Sequence, residues 1–317
     1  GLAAMFIMMN AARLGVGIQG YAQAEVAYQN AVTYALDRRQ GRALTGPAEP
    51  AEKADTLFVH PDVRRMLMEA KALTEGLRAL CLWGALQVDL SHKAPDDAER
   101  QLADDLIGLL TPVIKGYGTD KGYDIATTAQ QVYGGHGYIA EWGMEQYVRD
   151  ARIAQIYEGT NGVQAMDLVG RKLAQNGGRA VQAFFKLVGD EIAAAKQEEG
   201  SADFANRLER ALNELQAATM WFLQNGMKNP ENVGAGAHSY MHLMGIVATG
   251  LMWLRMARAA AKLVAAGEGD AKFLNAKLVT ARFYAERILP DAGALRRKIE
   301  GGAESVMALE PELFMAA

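Results

Sequence analysis

PDVRRMLMEAKALTEGLRALCLWGALQVDL, running from Pro61 to Leu90, carries the pattern that decides the fold. Val63, Met66, Leu67, Ala70, Leu73, Leu77, Leu80, Gly84 and Val88 recur at spacings of three and four. At 3.6 residues per turn those positions share one face, so the stretch reads as a long amphipathic helix. Pro61, preceded by His60, suits its first turn, where the N–H that proline lacks has no helical partner.

Working outward, the same period predicts helices almost everywhere. A first helix spans about Ala3 to Arg39 and ends at Gly41, before the loop Thr45-Gly46-Pro47-Ala48-Glu49-Pro50. Ser91 to Asp96 reads as a breaker. A third long helix runs from Asp97 to Tyr133, with a kink expected at Pro112 and its end marked by Gly134, Gly135 and Gly137. Short helices are expected over 143–150 and 161–175. Asn176-Gly177-Gly178 is the expected domain boundary. Beyond it, helices are predicted over 179–198, 202–228, 233–266, 270–289 and 291–300, with Pro230, Pro290 and Gly267-Glu268-Gly269 at the joints. No alternating strand pattern or internal repeat is visible. The expected fold is therefore all-α: an up-down helical bundle over 1–176, followed by a second helical bundle over 177–317.

Bulk properties narrow the class. The chain has 317 residues, half of them apolar, enough for two packed cores. A net charge of −4 gives no electrostatic reason to expect nucleic acid. The single cysteine, Cys81, excludes an intrachain disulfide and points to a reducing, cytoplasmic compartment. The longest apolar run, Leu243 to Leu254, is short of the roughly 20 residues that span a bilayer, so no transmembrane segment is expected. Gly1 to Met9 reads as the middle of a helix, with no initiator Met and no cap. The expectation is that the chain is the C-terminal part of a longer protein.

Candidate chemistry gathers at Gln155-Ile156-Tyr157-Glu158-Gly159-Thr160-Asn161-Gly162. Taken alone, Glu158 reads as a solvated loop carboxylate, and Thr160 or Asn161 as an ordinary N-cap. Upstream lie Gly134-Gly135-His136-Gly137-Tyr138, Val148-Arg149-Asp150-Ala151-Arg152 and Tyr34-Ala35-Leu36-Asp37-Arg38-Arg39. Arg38 by itself is a cation favoured at a helix C-terminus, and Gln131, Gly134 and Gly135 are a helix end. His238 and His242, four apart on a helix, resemble a ligand pair, but no third ligand is apparent, so no metal site is expected. Gly15-Val16-Gly17-Ile18-Gln19-Gly20 matches GxGxxG without a preceding strand, so these small residues are read as allowing close helix packing.

Together, these motifs resemble the C-terminal helical region of the acyl-CoA dehydrogenases over residues 1–175, and the remainder resembles the extra helical domain of larger bacterial members. The shared residues are Gln131, Gly134, Gly135, Gly137, Arg149, Asp150, Ile156, Tyr157, Glu158, Gly159, Thr160 and Gln164, in order and spacing. The resemblance implies α,β-dehydrogenation of an acyl-CoA to its trans-2-enoyl-CoA, as in fatty acid β-oxidation, with FAD as cofactor. Glu158 would be the base, and its backbone N–H a donor to the thioester oxygen. Arg38, Gln40, Gln131, Gly134, Gly135 and Thr160 would contact flavin. Arg38, Gln131, Gly134 and Gly135 would do so across a subunit interface, with Gln40 in place of the family's hydroxyl contact. Arg13, Tyr157 and Gly159 would line the acyl-CoA site, against a plain reading of Arg13 and Tyr157 as partly buried helix and turn residues. Two positions depart from the family pattern: Gln40-Gly41-Arg42 lacks the usual Thr-Phe-Gly, and Gly162 stands where several relatives carry glutamine. The resemblance also implies an electron-transfer flavoprotein as partner, a homodimer or tetramer, and little activity for this chain alone. Two other readings share the fold: a DNA-associated flavoprotein, which the acidic balance disfavours, and a non-catalytic helical assembly module.

Overall fold

The structure is a computed structural model that describes residues 2–315; Gly1, Ala316 and Ala317 lie outside the described residues. Three long helices, α1 (Leu2–Asp37), α2 (Pro61–Lys93) and α3 (Asp97–Val132), pack against one another as the first bundle. The period read from 61–90 is the buried face of α2: Leu67, Ala70, Leu73, Leu77, Leu80 and Gly84 are all buried. Burying each leucine of that stripe contributes about 1.5–3 kcal/mol.

The helix ends differ from expectation for local reasons. α1 stops at Asp37 rather than Arg39, because Arg39 pairs with Thr56 in an isolated antiparallel bridge and the Gln40 N–H donates to the Asp55 carbonyl (2.9 Å). α2 continues through Ser91, whose hydroxyl donates back to the Val88 carbonyl (2.8 Å) instead of breaking the helix. α3 then starts where Asp96 caps it, accepting from the Ala98 N–H (3.3 Å). It runs through Pro112 without interruption, so the expected kink is not a break. Gly17 and Gly20 do bring α1 and α3 together: a Cβ on Gly20 would lie 2.9 Å from the Gly118 carbonyl oxygen. Gly15 faces open space and takes no part.

α4 (Met144–Ala154) packs on α1 and α3, and α5 (Asn161–Asp167) on α3. The single helix expected over 161–175 is divided. α5 gives way to a π-helical turn at Leu168–Lys172 and a 3-10 turn at Gln175–Gly178. Asn176, Gly177 and Gly178 all take left-handed backbone there. The second bundle follows as α6 (Arg179–Lys196), α7 (Ala202–Asn225), α8 (Glu231–Ala266), α9 (Ala271–Arg287), α10 (Asp291–Glu300) and the short α11 (Glu304–Met307). Beyond the one bridge, there is no strand pairing among the described residues.

The chain turns at 176–178, but the apolar contact does not stop there. One core cluster joins Leu73, Leu80, Val113 and Tyr117 of the first bundle to Phe184, Leu208, Met244 and Trp253 of the second. Trp253 is fully buried and its indole N–H donates to the Ala72 carbonyl (2.9 Å). α8 is the axis of this arrangement. By length and composition it is long and apolar enough to cross a membrane, and most of that stretch is buried inside the fold.

Candidate active site

Glu158 sits on the loop between α4 and α5. The Tyr157 N–H donates back to the Ile153 carbonyl (3.1 Å), and the Asn161 N–H to the Gln155 carbonyl (3.1 Å), closing a tight turn. Within it Glu158 has φ 55° and Gly159 φ 81°. Left-handed backbone is ordinary for glycine but costs a residue with a Cβ about 1–2 kcal/mol. Strain of that kind persists only where surrounding contacts over-determine it, and it gathers at functional sites.

Those contacts are present. Arg13 Nε and Gln164 Nε2 both donate to the Glu158 carbonyl, each at 3.4 Å. Lys115 Nζ donates to the Gly159 carbonyl at 2.8 Å, and Gln164 Nε2 reaches the same oxygen at 3.3 Å. A side chain at Gly159 would have to displace Gln164, since a Cβ there would lie 2.6 Å from Gln164 Nε2. Thr160 caps α5 by accepting from the Val163 N–H (3.4 Å). Among the described residues the Glu158 N–H has no backbone acceptor.

Behind the turn lies a buried polar network. Lys115 is fully buried in the middle of α3, and burial pushes its ammonium down to about 8, with the nearby charge of Asp120 opposing the fall. Its second acceptor is Asn161 Oδ1 (2.8 Å). Asn161 Nδ2 donates to the Gly116 carbonyl (3.0 Å), Thr119 Oγ1 (2.9 Å) and Asp120 Oδ1 (2.7 Å). Asp120 also accepts from Gln155 Nε2 (2.7 Å) and His242 Nε2 (2.8 Å). Burial alone would raise the Asp120 carboxyl, but the hydrogen bonds from His242, Asn161 and Gln155 outweigh it and hold the group below its ordinary range.

This geometry corrects the reading of His238 and His242 as a pair without a third group. Asp120, from α3, brings a carboxylate oxygen within 4.8 Å of a nitrogen on each ring. Both its oxygens are already engaged by hydrogen-bond donors, so Asp120 and His242 are read as part of the polar network, with the His238 ring beside His242 (centroids 4.4 Å apart). Burial, and then the neighbouring His242, lowers the affinity of His238 for a proton.

A second site lies where α1 ends. A cleft of about 610 Å3 is lined by Arg38, Gln40, Gln131, Gly134 and Gly135, with Tyr34, His60 and His136 on its walls. That volume falls within the few hundred to about 1,000 Å3 typical of small-molecule sites. Its wall is an aromatic stack: Tyr34 on Tyr133 (centroids 4.0 Å apart) and His136 on Trp142 (4.8 Å). The Tyr34 hydroxyl and His136 Nδ1 lie 2.8 Å apart. His60 Nε2 lies 2.7 Å from the Gln40 carbonyl, which ties the cleft to the start of α2. The adjoining loop is held by Asp55. The Ala43 N–H, helped by those of Glu49 and Ala48 and by Arg42, keeps its carboxyl well below the usual range.

The residues singled out from the sequence thus divide in two. Arg38, Gln40, Gln131, Gly134 and Gly135 share the cleft. Thr160 joins Glu158, Gly159, Tyr157 and Arg13 at the turn. Arg13 is buried beneath the turn, 3.9 Å from Asp167, and its guanidinium donates to the Glu158 carbonyl. Tyr157 is partly exposed, and its hydroxyl donates to Gln19. The sequence reading gave no role to Lys115, Asp120, Tyr34 or His136, took Asn161 only as an N-cap and weighed His242 only as half of a metal-ligand pair. One signal was available: Lys115 is a lone charge inside the apolar run Val113-Ile114-Lys115-Gly116-Tyr117.

The arrangement matches known proteins. Residues 1–173 match the family profile described as acyl-CoA dehydrogenase, C-terminal domain. Residues 181–310 match the one described as acetyl-CoA dehydrogenase C-terminal like. The chain is 39% identical over 97% of its length to a 3-methylmercaptopropionyl-CoA dehydrogenase of Ruegeria pomeroyi, of which it covers 52%. It is 32% identical over 99% of its length to a broad-specificity linear acyl-CoA dehydrogenase of Mycobacterium tuberculosis, of which it covers 53%. The chain therefore spans about half the length of the curated relatives it matches. Among solved structures, Caenorhabditis elegans ACDH-11 in complex with C11-CoA is similar in fold, with a TM-score of 0.76 at 19% identity. That match covers 96% of this chain and 48% of the other.

Proposed function

The chain belongs to the acyl-CoA dehydrogenase family, and from that premise we propose that it is the C-terminal part of an FAD-dependent enzyme. That enzyme would introduce a trans-2,3 double bond into an acyl-CoA thioester. The observation that carries the reading is the backbone at Glu158: a glutamate held at φ 55°, followed by a glycine at φ 81° where any other side chain is strained. The α-hydrogen of a thioester is a weak acid, and a carboxylate removes it only when the developing enolate is stabilised in the same step. In this turn, the Glu158 carboxylate takes the α-proton while the Glu158 N–H donates to the thioester oxygen. Exposed Ile156, Tyr157 and Val163 surround the turn and suit an apolar acyl chain.

The cleft suits part of the cofactor. An exposed guanidinium at Arg38 and the open backbone of Gly134 and Gly135 are a donor set for a pyrophosphate, with Gln40 and Gln131 beside it. Bound FAD supplies the acceptor for the β-hydrogen, which leaves as hydride. The five cleft residues form one group and Glu158 another, a division that fits a homodimer or tetramer with flavin shared between subunits. We extend the proposal to an electron-transfer flavoprotein as the oxidant of the reduced enzyme, and to a cytoplasmic setting. Incubating the full-length protein with FAD, an artificial electron acceptor and a panel of acyl-CoA thioesters tests this. Enoyl-CoA formation from at least one thioester is expected; none across short, medium and long chains, with flavin bound, contradicts it.

A further inference from the structure

The second bundle reaches the Glu158 turn through a chain of buried side chains. His242, on α8, donates to Asp120 (2.8 Å), which accepts from Asn161 (2.7 Å). Asn161 accepts from Lys115 (2.8 Å), and the same ammonium donates to the Gly159 carbonyl (2.8 Å). The contacts therefore end on the residue that follows Glu158. α8 is seated tightly at this point. Gly116 lies against Met241, and Gly245 against the ring of Tyr117, each without room for a Cβ.

We propose that Lys115, Asn161 and Asp120, braced by His242 of the second bundle, are positioning residues that hold the peptide after Glu158 and so aim its carboxylate and N–H at the thioester. The proposal rests on the reading of Glu158 as the base. Two facts favour positioning over simple packing. An apolar side chain of similar volume would fill the site of Lys115 without the desolvation penalty of a buried ammonium. The network also converges on the one segment of the loop that is strained, whereas α3 itself needs no such support to be helical. A misplacement of about 1 Å at a reacting group costs ~10²-fold in rate, so a clamp on this peptide acts directly on turnover.

The test uses the full-length, flavin-loaded protein and the variants Lys115→Met, His242→Ala and His242→Gln. Turnover on a thioester accepted by the wild type is measured alongside deuterium uptake of the peptide spanning 155–165. For Lys115→Met, kcat is expected to fall ~10²-fold, with KM within about threefold and flavin content unchanged, the signature of lost transition-state geometry. His242→Ala is expected to lose about 10-fold, and His242→Gln to recover most of that, because glutamine still donates to Asp120. Uptake should quicken over 155–165 and stay unchanged over 131–138. Wild-type kcat in Lys115→Met and His242→Ala, or no recovery with glutamine, overturns the proposal; should Lys115→Met fail to fold, the His242 pair decides it. A Glu158→Gln control separates the two claims. If that control turns over like wild type, the base assignment fails, and the deuterium uptake alone then decides whether the network holds the turn.

Discussion

The turn at Glu158 and the cleft at Arg38 are built in opposite ways. The turn is strained and tied by three side chains, Arg13, Gln164 and the buried ammonium of Lys115. The cleft is open, and Arg38, Gln40, Gln131, Gly134 and Gly135 are all exposed along it. A group that must abstract a weakly acidic proton needs fixed geometry before substrate arrives, which buried contacts provide. A surface that receives a charged cofactor needs free donors, and free donors are exposed ones. The difference is between a loop held by its own buried contacts and a cleft whose polar groups stay free.

Four substitutions in the full-length protein sharpen that contrast, in order of expected effect. Glu158→Gln keeps the volume and removes the carboxylate proposed as base, so turnover should fall ~10²–10⁴-fold with flavin content unchanged. A loss of flavin in this variant would break the separation between the two sites. Arg38→Ala should do the reverse, weakening FAD binding by about 1.5–3 kcal/mol, the worth of hydrogen bonds to a charged group. Its melting temperature without FAD should match the parent, because an exposed side chain away from the core contributes little. Gly159→Ala should destabilise the protein by about 1–3 kcal/mol, because the added methyl is strained at φ 81° and crowds Gln164. Denaturant titration reads this, and an unchanged midpoint would mean that the turn is looser than drawn. Thr160→Ala removes the α5 cap and should cost about 1 kcal/mol by the same titration.

Much of the fold was legible because it follows from one period. The stripe from Val63 to Val88 needs only helical geometry to be read, and the helix starts marked by Pro61, Asp97 and Asp291 lie where proline and aspartate place them. Helix ends were less legible. Ser91 continues α2 through a hydroxyl-to-carbonyl bond, and the π-helical turn after Asp167 has no composition signal of its own. At the site, Glu158 and the glycines stood out because short motifs record local backbone needs. Lys115, Asp120 and His242 are 43, 38 and 84 residues from Glu158, and only the packing of α8 on α3 brings them to one network. The core shared by the two bundles was hidden for the same reason: a turn at 176–178 marks where the chain bends, not where its contacts end.

The central claim is that Glu158, fixed in its left-handed turn, removes the α-proton of an acyl-CoA thioester. Anaerobic mixing of the full-length, FAD-loaded protein with that thioester, followed by the visible flavin absorbance, tests it most directly. Rapid bleaching in the wild type, slowed ~10²–10⁴-fold in Glu158→Gln, is the predicted result. Bleaching at the same rate in both would contradict the account and place the base elsewhere.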